Sequence, residues 1–336
     1  MKKTSSASCN PPGAETGKTW NFQAVAKYFG AMALVFLVIF FYLANPRFLG
    51  PANITNLLKQ MSPLMIVSVG TTFVILMGSI DLSIDGTVTL AGIISVLVAN
   101  QVVDMHFLPG CLLPVFAGVG VGLVVGLVNG LLQARLRLPS FLVTLGMTTI
   151  CSGVGLIITN GTAIRALNNA FKRIAIHTIG VVPILGIVAV TVLILGYIIF
   201  KRTLFGRYAY AIGGGERVAE LCGVPIARYK IMVFLFAGAL SGLAGALTSS
   251  RLGAATNLQG SGMALDAIAA VVMGGTALSG GKGGILNTLV GILVIILLAN
   301  GLNMMGVQPY TQTLIKGLVV ILAVAMTSER RKMVVK

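Results

Sequence analysis

The sequence predicts an all-α, polytopic membrane protein of about ten transmembrane helices, and three observations carry that expectation. Only 10% of the 336 residues are charged, 56% are hydrophobic, and mean hydropathy is +0.97. A soluble domain carries about 25% charged residues, so too little polar material is present to cover a surface in water. The apolar residues also come in uncharged runs, many long enough for the roughly 20 helical residues that cross about 30 Å of hydrocarbon. Finally, the basic residues sort to one side.

The runs lie between Lys27 and Arg47, Lys59 and Asp81, Asp85 and Asp104, His106 and Arg135, Arg137 and Arg165, Arg173 and Lys201, and Lys230 and Arg251. Asp266 to Lys282 forms an eighth. The stretch from Lys282 to Lys316 reads as a ninth helix and a turn at 304–309, and a tenth run ends at Glu329. With the N-terminus inside, ten spans leave both termini cytoplasmic. Seventeen of the 24 basic residues then face the cytoplasm and six face outward, with Lys316 inside the last span. Cytoplasmic loops collect Lys and Arg, so this orientation is favoured over its inverse. It also accounts for the net charge of +16 without nucleic acid.

The expected organisation is a cytoplasmic tail over 1–27, a transmembrane domain over 28–328 containing a cytoplasmic loop at 201–230, and a second tail over 329–336. No signal peptide is expected after Met1. Cys9, Cys111, Cys151 and Cys222 are far apart, so neither a zinc site nor a disulfide framework is expected.

A short internal repeat is visible. Asn129-Gly130 precedes Pro139, and Asn300-Gly301 precedes Pro309, each Asn-Gly closing a span and each Pro opening the next. Copies five spans apart lie in opposite orientations, which suggests an inverted repeat of five helices with a substrate path at its interface.

Gly118, Gly122, Gly126 and Gly130 recur at four-residue spacing, one turn apart, and leave a groove another helix can approach closely. Gly238 and Gly242 repeat the spacing, and packing within the chain is expected over dimerisation. Charges inside membranes are costly and so informative. Asp81 and Asp85 frame a break at 78–86, Asp266 opens the eighth span, and Lys316 sits two turns inside the tenth. Asp85 and Asp266 read as helix N-caps, and Asp266 and Lys316 as an ion pair.

In the loop at 201–230, a short helix is expected over 216–222, started by Gly215 and stopped by Gly223. The run before Gly213-Gly214-Gly215 reads as strand-like but lacks dinucleotide-binding spacing. Gly281-Lys282 lacks the first Gly and the Ser/Thr of a P-loop. No cofactor is expected, and any ATP is used by a partner. No pair of intramembrane carboxylates or histidines suited to a proton relay is seen, and His106 and His177 form no catalytic cluster, so no enzymatic activity is expected.

Several stretches resemble the permeases of the monosaccharide branch of bacterial ABC importers, closest to the ribose type. They are 78–86, 130–145 with Pro-Ser-Phe-Leu-Val-Thr-Leu-Gly, 203–223, and 265–284 with Met-Gly-Gly-Thr and Ser-Gly-Gly-Lys-Gly-Gly. The resemblance implies an inner-membrane permease paired with a second copy or a sister permease, a cytoplasmic ABC ATPase, and a periplasmic sugar-binding protein. It assigns ATPase coupling to Gly213, Gly214, Glu216, Ala219, Glu220 and Gly223. A neutral sugar needs hydrogen-bonding side chains and an aromatic face. Asn129, Phe141, Thr144, Asn300, Asn303, Gln308, Tyr310 and Gln312 lie near the two repeated turns and could line its path. Permeases for branched-chain amino acids or nucleosides, and an ion-coupled stand-alone carrier, are the alternatives.

Overall fold

The computed structural model describes residues 22–103, 105 and 107–327. Helix α1 (Phe22–Ala44) leads through a 3-10 turn at Pro46–Leu49 into α2 (Pro51–Leu76). The chain leaves helical geometry over 77–83 and resumes as α3 (Ile84–Gln101), α4 (Phe107–Leu136) and α5 (Ser140–Thr159). A connecting segment holds β1 (Ile164–Arg165), α6 (Asn169–Ile176) and a hairpin of β2 (Thr178–Ile179) and β3 (Val182–Pro183). Then come α7 (Ile184–Arg202), α8 (Leu204–Gly214), α9 (Glu216–Leu221) and α10 (Ile226–Leu252). Strand β4 (Ala254–Ala255) pairs antiparallel with β1, and α11 (Met263–Met273), α12 (Ile285–Met304) and α13 (Pro309–Thr327) complete the order.

Among the described residues, α2, α3, α4, α5, α7, α10 and α12 are long and apolar enough to cross a membrane. This is an all-α polytopic membrane protein. The eighth expected span is not a full one. Its helix, α11, has 11 residues, about 16 Å of rise against 30 Å of hydrocarbon. Glycines at 274, 275, 280, 281, 283 and 284 and the lack of a helix-period pattern end it early. Helix α1 begins at Phe22, within the stretch expected as a tail over 1–27; residues 1–21 and the tail expected over 329–336 lie outside the described residues. So do His106 and Asp104. Cys111 and Cys151 are buried and Cys222 is exposed.

Helix α2 forms the centre, with every residue from Met61 to Leu76 buried. It packs against α7, α10, α11 and α12. Its buried threonines are tolerated there because a hydroxyl can donate to the carbonyl one turn back. Thr71 Oγ1 does so to Val67 at 3.0 Å and Thr72 Oγ1 to Ser68 at 2.7 Å. The Thr72 hydroxyl also meets that of Thr288 at 2.9 Å, tying α2 to α12.

The glycine row of α4 packs on α10. A Cβ on Gly122 would stand 2.0 Å from Gly238 O, and one on Gly242 would stand 2.3 Å from Gly118 O. Gly126 and Gly130 meet the α10 backbone at Phe234 and Ile231 in the same way. The groove is an intrachain seam in which two backbones touch.

Helix contacts recur in matched pairs. The packing of α4 on α10 has a counterpart in α12 on α2, α3 on α5 in α11 on α13, α3 on α4 in α11 on α12, and α3 on α10 in α11 on α2.

Candidate functional site

Two non-helical segments run through the interior, and each is held by side chains instead of backbone ladders. The first is the break at 77–83. Its exposed backbone groups meet three hydroxyls spaced one turn apart along α5. Ile80 N donates to Ser140 Oγ at 3.1 Å, Leu82 N donates to Thr144 Oγ1 at 3.0 Å, and Thr148 Oγ1 donates to Leu82 O at 2.5 Å. Buried backbone groups left without partners cost free energy, so this hydroxyl row makes a broken helix affordable. Asp81 closes the turn: its Oδ1 accepts from Ser83 N at 2.8 Å and Ser83 Oγ at 2.6 Å.

The second is the run at 256–262, which descends from β4 along α3 and α5 to the start of α11. Asn257 Nδ2 donates to Thr159 Oγ1 at 2.9 Å, Gln259 Nε2 to Val88 O at 3.2 Å, and Gly260 N to Thr89 Oγ1 at 3.2 Å. Gln259 fills the notch beside Gly92, where a Cβ would sit 1.7 Å from its amide nitrogen. The expected cap role of Asp85 takes a different form. Its carboxylate does not cap the helix it belongs to. Oδ2 accepts from Gly262 N at 2.9 Å and Oδ1 from Ala264 N at 2.6 Å, so it caps α11 across the interior. The reason is geometric: α3 and α11 both begin inside the bundle, and the free N–H groups of α11 need an acceptor.

The Asp266–Lys316 ion pair forms, with Nζ 2.8 Å from Oδ2 and both side chains about three-quarters buried. It joins α11 to α13. Lys316→Met is expected to leave the carboxylate of Asp266 partly buried and unpaired and to lower thermal stability by about 2 kcal/mol. Exchanging the two residues should restore most of it. A double variant no more stable than Lys316→Met would show that the pair contributes nothing.

The eight path residues separate into two groups. Asn129, Phe141 and Thr144 gather around the first break. Asn129 Nδ2 donates to Ser83 Oγ at 2.9 Å, Thr144 is fully buried, and Phe141 is exposed. The other five lie elsewhere. Asn300 exchanges hydrogen bonds with Asn53 of α2 at 2.9 and 3.2 Å. Gln312 Nε2 donates to Val307 O at 2.7 Å, and Asn303, Gln308 and Tyr310 are exposed. Sequence reasoning missed Ser140, Thr148, Ser83, Asn257 and Gln259; the one legible signal was the hydroxyl spacing at 140, 144 and 148.

A cleft of about 1020 Å³ opens beside the first break. Its wall includes Gly78, Ser79 and Ile80 of the break, Gln133, Ala134 and Arg137 to Phe141 at the α4–α5 turn, Glu216, Arg217 and Glu220 of α9, and Lys230. Helix α9 starts and stops as expected, with Gly215 before Glu216, Cys222 as its C-cap, and Gly223 at φ +82°. The run before it is a helix, α8, and not strand-like; Phe205, Tyr208 and Ala209 pack it on the core, and that packing overrides local preference. Ala219 is the inward residue of α9, while Val218 and Leu221 are 65% and 82% exposed. Glu216 pairs with Lys230 at 2.7 Å, and Glu220 is exposed. Gly213 touches the end of α2: a Cβ there would lie 1.9 Å from Leu76 O and 2.4 Å from Gly281 N. Gly214 has open space around it. The loop is thereby seated directly on the broken segment.

The sequence profile of a family described as branched-chain amino acid transport system / permease component matches residues 53–324. The chain belongs to this permease family. The permease is 39% identical to the ribose import permease protein of Bacillus subtilis (strain 168) over 94% of its own length and 96% of the relative's. It is 36% identical to the ribose import permease protein of Escherichia coli (strain K12), covering 89% and 93% of the two chains. With the D-allose transport system permease protein of the same strain it shares 32% identity, over 93% and 95%. No solved structure matches it. A family of transport permeases has no catalytic chemistry to assign, and its setting is the inner membrane, crossed several times.

Proposed function

We propose that the permease is the membrane-spanning subunit of an ATP-driven importer that carries a monosaccharide, a pentose or hexose, across the inner membrane by alternating access. Relatives named for ribose and allose, alike over nearly the whole chain, support a sugar over the amino acids in the family's description. The observation that carries the mechanism is the shared cleft: the broken membrane segment at 78–80 and the exposed helix α9 form one wall. Movement of α9 thus bears directly on the non-helical backbone in the interior. We read the bundle as ten spans with both termini cytoplasmic, α11 completing the eighth together with the descending run at 256–262. The matched helix contacts support an inverted repeat relating α2–α5 to α10–α13, with the two breaks at its axis.

In this reading a cytoplasmic ABC ATPase docks on the loop at 201–230, where Glu216, Ala219, Glu220 and Gly223 shape α9. ATP is bound by that partner and the permease needs no cofactor. A periplasmic sugar-binding protein delivers substrate, and a second permease subunit completes the membrane portion. A stand-alone carrier fits less well, because Asp85 and Asp266 are both committed to structural partners.

The test is co-purification of the ATPase with the detergent-solubilised permease. Val218→Asp with Leu221→Asp puts two charges on the exposed apolar side of α9 and is expected to reduce recovery of the ATPase at least about tenfold, as loss of an interface anchor does. Gly146→Ala, on α5 outside that loop and with open space around it among the described residues, should leave it unchanged. Recovery unaffected by both aspartates would move the contact off α9. No ATPase with the wild-type chain would sink the importer reading in favour of the carrier.

A further inference from the structure

We infer that Asn129 and Gln133 form a binding station for one neutral, hydroxyl-rich ligand at the inner end of the cleft, a site that rests on the importer reading and gives it a position. The two residues are one turn apart on α4 and therefore share a face. Asn129 is 1% exposed and Gln133 is 5% exposed, and Gln133 lines the cleft. Each carries a buried polar atom with no partner among the described residues: Oδ1 of Asn129 and Nε2 of Gln133. Such orphans are uncommon in folded chains, and each one asks for an explanation.

The orientation of Asn129 is fixed by its neighbours. The hydroxyl of Ser83 gives its proton to Asp81 Oδ1 at 2.6 Å, so it can only accept from the amide nitrogen of Asn129, at 2.9 Å. The amide oxygen is left facing away from that network. The helix face thus offers an acceptor and, one turn further along at the cleft wall, a donor. Neither carries formal charge. A hydroxyl donates and accepts at once, so two hydroxyls of a sugar satisfy both atoms, whereas an ammonium satisfies only the acceptor and a carboxylate only the donor. A site of this kind discriminates through the polar atoms it leaves unpaired when the wrong ligand enters.

The test reads occupancy without relying on transport. In full-length permease whose Cys9, Cys111, Cys151 and Cys222 have been replaced by alanine, Ala134→Cys places a reporter thiol in the cleft wall beside Gln133. D-ribose is the probe, and the measurement is the rate of alkylation by N-ethylmaleimide in membranes. Ribose is expected to slow alkylation in a saturable way. Gln133→Met should raise the ribose concentration needed by about tenfold, the scale of one hydrogen bond lost from a buried group. Gln133→Glu, which keeps the length and removes the amide donor, is the second variant should the first fail to reach the membrane. Protection unchanged in both variants overturns the station, as does absence of protection in a permease whose assembled complex imports ribose. A complex that imports no monosaccharide overturns the functional reading itself, and the two failures are therefore distinguishable.

Discussion

Gly122→Leu is expected to remove folded permease from the membrane. The substituted carbon would start 2.0 Å from Gly238 O, and the same contact closes from the other side, where a Cβ on Gly238 would lie 2.2 Å from Gly122 O. Both obstacles are backbone, so neither helix can yield by turning a rotamer. The α4–α10 seam must open along its length, and the contacts at Gly118–Gly242 and Gly126–Phe234 are lost with it. Forcing a single extra group into a packed core costs about 1–3 kcal/mol, and a whole leucine against backbone exceeds that several-fold. Domain stabilities are about 5–15 kcal/mol in total. Gly120→Leu is the matched control, because nothing lies within 4 Å of a Cβ there. Size-exclusion chromatography of fluorescently tagged protein would report both. A sharp peak at wild-type yield from Gly122→Leu would mean that the seam is not a close backbone contact.

Asp85→Leu carries the second large effect. The carboxylate accepts from two backbone N–H groups at the start of α11, at 2.9 and 2.6 Å. Charge-assisted bonds of this kind contribute about 1.5–3 kcal/mol each. Removing both leaves two donors unsatisfied inside the bundle, where water cannot replace the acceptor. A loss of about 3–6 kcal/mol in unfolding free energy follows. Asp85→Asn retains one acceptor oxygen and should lie between wild type and leucine. Thermal melting in detergent, read by tryptophan-independent thiol labelling, orders the three. Equal melting of all three would mean α11 does not depend on Asp85.

The two expectations were unequally legible. The glycine spacing at 118, 122, 126 and 130 could be read directly, because a four-residue period fixes a helix face whatever lies opposite. The partner face could not be read with the same certainty, though Gly238 and Gly242 signalled it. Asp85 was legible as a cap but not as the cap of α11, which is 177 residues away in sequence at Gly262. Among the path residues, proximity to Asn129-Gly130 located Asn129, Thr144 and Phe141, while the second Asn-Gly led to residues that pack on α2 or face outward. Repeats identify equivalent positions in two halves; they do not say that equivalent residues share one lumen.

Composition and hydrophobic run length by themselves determined that this chain lives in a bilayer. Transfer free energy depends on what a segment contains and scarcely on where it sits. The end of the short α9 was likewise legible locally, since Gly223 takes the left-handed conformation, at φ +82°, that stops a helix. Only the tertiary structure decided that the eighth apolar run forms an 11-residue helix, that the breaks at 77–83 and 256–262 are held by side-chain hydroxyls and amides, and that one cleft joins α9 to the first of them. Those features depend on which groups meet across the bundle. A polar atom in a membrane must find a partner, and the sequence names the donors and acceptors without stating the pairs.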